Sequence, residues 1–219
     1  MGTNEIRQAE KFSLFAWRIF AKDIMGKKIL YAVIAVCSGV FFLTGLGAAG
    51  ELQSLFSQVE NLNIQRQGYV LAAKLTQSQL AIAAENPMDA FSQQVFKFKD
   101  KALNIVADKK TNRVLVIYEQ FENLSQQKVQ AMVGELFMAY EDPTISAHDK
   151  VVYWAWGKKG KFTAAQFDMA KENKKAPAVI ATVKFNSEIK IMDKNTADAI
   201  GTAYYIISSD LLLKFFQNT

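Results

Sequence analysis

The sequence predicts an α+β protein: a single N-terminal transmembrane helix followed by a periplasmic domain of helices on a curved, mostly antiparallel sheet. Three observations carry this. Ile29 to Ala49 is apolar and free of charge. Helical spacing of apolar residues recurs in 51–84 and again in 126–140. Between and after them lie β-branched and aromatic runs joined by short turns, which pair antiparallel because parallel strands need long crossovers.

The chain opens with a tail, residues 1–28. Phe12, Phe15 and Ile19 share one helical face, with Leu14 and Trp17 beside it. Lys11, Arg18 and Lys22 can reach phospholipid head groups, so an amphipathic helix at the inner interface is expected, with Trp17 and Phe20 next to the bilayer. Two readings stay open: an inward extension of the span, or a docking helix for a partner. Residues 29–49 form the span. About twenty-one helical residues cover roughly 30 Å, the hydrocarbon thickness of a bilayer. Six basic residues precede the span (Arg7, Lys11, Arg18, Lys22, Lys27, Lys28), and only Arg66 falls in the first twenty after it. The positive-inside rule then puts the N-terminus in the cytoplasm and the remainder across the bacterial inner membrane. The alternative is a cleaved signal peptide ending in the small residues around Ala48 to Gly50.

Residues 50–86 read as a juxtamembrane helical stalk. Leu52, Leu55, Phe56, Val59 and Leu62 have helical spacing, a pattern that resumes after Gly68. Asn86-Pro87 marks a boundary, since the residue before proline avoids the helical region. The far-side α+β domain is assigned to 87–219. A short helix is expected over 88–99. A hairpin follows, from Ala102–Val106 through 108–112 into Arg113–Phe121. Ser125 is the expected N-cap of a helix over 126–140, which Asp142-Pro143 ends. Val151–Trp156 turns through 157–160 into a strand over 161–169. Ala178–Ile191 turns into Ala199–Ser208, and an apolar segment including Leu211, Leu212, Leu213, Phe215 and Phe216 closes the chain.

Composition narrows the function. The 219 residues carry a net charge of +5, concentrated partly in the tail, and the remainder is too weakly basic to suggest direct nucleic-acid binding. The one cysteine, Cys37, lies in the span, so no disulfide is expected in the exported domain. One histidine, His148, and the absence of GxSxG, Walker and GxGxxG patterns suggest neither catalysis nor a cofactor. Asp142, His148 and Asp149 are read as a solvated turn, not a metal site. The expectation is a non-enzyme with no cofactor, no metal and no catalytic residue. Tyr153, Trp154 and Trp156 are the partner-binding candidates on the far side, and Trp17 and Phe20 those in the tail. On a strand the two tryptophans share a face and Tyr153 takes the other. The tryptophans can fill the core or form an exposed patch.

The order of parts resembles the inner-membrane scaffold subunit of bacterial type IV secretion and conjugation machines. The closest likeness is Ala181, Val183 and Phe185, then a charged turn, then Tyr204-Tyr205-Ile206. The family's asparagine-proline signature near the end of its domain is not found. The resemblance implies a nuclear-transport-factor-two-like fold and a non-enzymatic, oligomerising scaffold. Its partners would be the bilayer, further copies of itself, and other membrane and periplasmic subunits. The ending from Gly201 is also similar to the last strand and helix of Cache-type sensor domains. That likeness implies a membrane-anchored ligand-binding domain of Cache or PAS type.

Overall fold

The computed structural model describes residues 45–90, 92–173, 178–192 and 199–216, and Ala48–Thr219 is one compact unit. The expected tail helix, with Trp17 and Phe20, and residues 29–44 of the expected span lie outside the described residues. Among those described, no helix is long and apolar enough to cross a membrane.

The architecture is α+β. Helix α1 (Gly45–Glu60) leads to a small hairpin, β1 (Gln65–Arg66) and β2 (Tyr69–Val70), then to α2 (Gln77–Glu85). The main sheet follows: β3 (Pro87–Met88), β4 (Val95–Asp100), β5 (Leu103–Asp108) and β6 (Val114–Ser125). Helix α3 (Gln126–Tyr140) intervenes, then β7 (Ile145–Ala147), β8 (Val151–Gly157) and β9 (Gly160–Lys161). Helix α4 (Ala164–Glu172), β10 (Ala181–Ser187), β11 (Ile200–Ser208) and α5 (Asp210–Phe215) complete it. The nine strands run β3-β4-β5-β6-β11-β10-β8-β7, with β9 on β8, and every pairing is antiparallel. Shifts of register at Gly201/Ala203 and Val106/Ala107 break the ladder, and such bulges bend a strand.

Register explains the core. Phe98, Ile105, Ile117, Ile207, Val183 and Trp154 are successive partners across six strands. All six are at 0% exposure, so this row is the spine of the packed face. Elements packed there include β1–β2 and α3, through Tyr69 on Phe98 and Phe137 on Trp154. Two arginines fasten the N-terminal elements to the sheet. Arg66 donates to Glu119 at 2.8 Å, and Arg113 donates to Glu60 and to the Ala72 carbonyl, each at 2.6 Å. One residue away, side chains alternate to the other face. There Lys99, Asn104, Tyr118, Ile206, Lys184, Tyr153 and Ile145 form a second row, mostly polar.

Three expectations are corrected. The single helix over 51–84 is helix, hairpin and helix. The chain reverses through positive φ at Asn63, Gln67 and Gly68, and Thr76 restarts it with a capping box closed by Gln79. The stretch 50–86 thus packs within the same compact unit as the sheet. The short helix over 88–99 is strand β4 from Val95: Phe96-Lys97-Phe98-Lys99 alternates, and the segment pairs with β5 along its whole length. The strand expected over 161–169 stops at Lys161. Thr163 and Gln166 exchange side-chain–backbone hydrogen bonds that start α4. The hairpins β5–β6 and β10–β11, and α3 with Ser125 as N-cap, form as expected.

Candidate interaction surface

Strand β8 carries the three far-side candidates. Its alternation sends Trp154 and Trp156 to the packed face and Tyr153 to the other, and the three meet different fates. Trp154 is fully buried; its Nε1 donates to the Glu141 carbonyl at 2.9 Å. Phe137 and Tyr140 pack on it at centroid distances of 5.8 Å. A side chain so enclosed cannot touch a partner, so Trp154 leaves the exposed patch and belongs to the core. Trp156 is half-buried and meets Tyr140 edge to face at 5.7 Å.

Helix α3 completes this aromatic ladder. Val129, Val133 and Leu136 face the core, while Phe137 is 37% exposed and Met138 89%. Tyr140 shares a hydrogen bond with Tyr205 at 2.9 Å. The Tyr205 ring lies under the Arg66 guanidinium at 4.9 Å. Burial, then the Tyr140 hydroxyl, raises the Tyr205 pKa far above the ordinary tyrosine value, so its phenol stays protonated and can donate or accept. At the end of α3 the backbone is strained. Glu141 has φ 58° and ψ −151°, a region essentially reserved for glycine. Lys161 holds the corner, donating to the Tyr140 carbonyl at 2.6 Å and to the Glu141 carboxylate at 3.0 Å.

On the opposite face, Tyr153 and Lys184 are register partners, and Asp210 at the start of α5 interacts electrostatically with both. Burial raises the Tyr153 and Asp210 pKa values and lowers that of Lys184; Lys214 and Lys184 partly offset the shift of Asp210. Tyr153, Lys184 and Asp210 thus lie together, half-buried, on the outer face of the sheet.

His148 and Asp149 lie at the β7–β8 corner with φ 54° and 53°, the left-handed pair of a tight hairpin. Among the described residues, no group of three acidic, histidine or cysteine side chains could hold a metal. The exposure of Phe137 and Met138 is not legible in the sequence, because Phe137 continues the helical spacing of Val129, Val133 and Leu136. Lys184 was findable, since a lysine between Val183 and Phe185 must face away from the spine. Asp210 was not, because its neighbours come from β8 and β10.

Comparison with protein-family models, with curated proteins and with solved structures finds no match.

Proposed function

We propose that this chain is a non-enzymatic, one-pass assembly scaffold of the bacterial inner membrane, with its N-terminus in the cytoplasm and its α+β domain in the periplasm. The observation that carries the reading is the charge-free run Ile29–Ala49 behind a basic flank, which ties the domain to a membrane. Surface chemistry supports it: Phe137, Met138 and Trp156 leave large apolar groups accessible around α3, the composition that protein interfaces favour. The antiparallel α+β sheet is compatible with the nuclear-transport-factor-two-like fold that a scaffold subunit of a secretion or conjugation machine would have. Affinity purification from detergent-solubilised membranes, followed by mass spectrometry, tests the reading. Several membrane and periplasmic proteins should co-purify in fixed ratio. Recovery of the chain alone would refute it.

A second reading, a membrane-anchored ligand-binding domain, draws on Tyr153, Lys184 and Asp210. Saturable binding of one small molecule by the purified chain, lost in Lys184→Met, would favour that reading over the scaffold.

A further inference from the structure

One surface of α3 is exposed along its length. Gln127, Ala131, Gly134 and Met138 fall within about 60° of one another around the helix axis, and Lys128 and Glu135 flank them on one side. All six are exposed. Gly134 is notable because glycine is the least favourable residue after proline inside a helix. Its φ is not positive, and a Cβ added there would meet nothing within 4 Å. Nothing among the described residues therefore requires a glycine at this position. A close approach by a second backbone would.

We infer that α3 docks antiparallel against α3 of a second copy of this chain, related by a two-fold axis. This rests on the scaffold reading, in which copies gather at one membrane. Charge and size select the partner. With Ala131 over the partner's Gly134, and the reverse by symmetry, the two small residues meet at the crossing. Lys128 then comes within about two residues, roughly 3 Å along the axis, of the partner's Glu135. The two-fold repeats this contact, giving two ion pairs. Met138 reaches past the crossing to cover the apolar stem of the partner's Gln127. The acid and the base lie on the same flank, so the arrangement satisfies itself only when the helices run in opposite directions.

The sheet edges direct a second copy to a face. Edge strand β3 is two residues long and contains Pro87; β7 is three residues long. Beside β7, the Ala155 amide donates to Thr144 Oγ1 at 3.1 Å and the Phe162 amide donates to the Ala155 carbonyl at 2.8 Å. Short, capped edges resist strand addition.

Sedimentation equilibrium of the full chain in detergent tests the inference. The wild type should dimerise, and Met138→Asp should weaken the dimer roughly tenfold or more. Gly134→Leu should abolish dimerisation while raising the thermal midpoint, a combination that misfolding cannot produce. Lys128→Glu and Glu135→Lys should each weaken the dimer, and their combination in one chain should restore it. A monomeric wild type, or a dimer that tolerates Gly134→Leu, overturns the inference. Co-purification of other membrane proteins with the Gly134→Leu chain reports separately on the scaffold reading.

Discussion

Replacing Glu141 by glycine should make the protein more stable, although it deletes a salt bridge. Glu141 has φ 58° and ψ −151°. Holding a non-glycine residue there costs about 1–3 kcal/mol. Glycine removes that strain but adds freedom to the unfolded chain, a loss of about 0.5–1 kcal/mol. The ion pair with Lys161 weighs little, because the Glu141 side chain is 87% exposed and solvent screens it. Lys161 also keeps its bond to the Tyr140 carbonyl, and Trp154 keeps its acceptor, the backbone oxygen of residue 141. The balance is a gain of about 1 kcal/mol, or roughly 2–4 °C in Tm for a domain of this size. Thermal unfolding followed by near-ultraviolet circular dichroism measures it. Glu141→Ala is the control: it removes the carboxylate but keeps the strain, so its Tm should stay close to wild type. A Glu141→Gly protein no more stable than the Glu141→Ala protein would refute the strain argument.

Three further outcomes are expected. Trp154→Ala should cost about 3–5 kcal/mol in urea unfolding, since a fully buried ring and its hydrogen bond are lost. Trp156→Ala, half-buried, should cost clearly less, and equal costs would contradict the assigned packing. The pair Asp210 and Lys184 sets a pH dependence. Asp210 has a raised folded pKa, so its contribution is fully present below the unfolded value of 3.8 and is lost as pH rises through the folded value. Lys184 has a lowered folded pKa, so its contribution is fully present above 10.5 and is lost as pH falls through the folded value. Asp210→Asn should flatten the acid side of a Tm–pH profile, and an unchanged acid limb would show that Asp210 titrates normally. In the tail, Trp17→Ala with Phe20→Ala should reduce co-purification of partners by about 2 kcal/mol of binding while leaving the chain in the membrane. Full retention of partners would make the tail a lipid anchor only.

The strand pairs were legible where two alternating runs flank a short polar turn. Ala181–Ser187 and Ile200–Ser208 pair as their patterns require, and Ser125 caps α3 as its position before a helical repeat predicts. Local pattern failed where three-residue spacing and alternation overlap. Val95, Phe96 and Phe98 satisfy both, and pairing with β5 decides for strand. The helix expected over 51–84 fails because its polar patch, Gln65 to Gly68, forms a hairpin that Arg66 pins to Glu119, a partner 53 residues away. The candidate surface was half visible. The tryptophan face on β8 follows from alternation, but which tryptophan is covered depends on where α3 crosses the sheet. That crossing is a tertiary fact, and it also leaves Phe137 partly and Met138 almost wholly exposed.

The side of the membrane on which the domain lies is the most direct test of a one-pass scaffold. Fusion of an alkaline phosphatase, active only outside the cytoplasm, after Thr219 measures this. The one-pass arrangement predicts an active fusion that stays in the membrane fraction and retains its N-terminal tail by mass. An inactive phosphatase, with a cytoplasm-only reporter active at the same position, would contradict it.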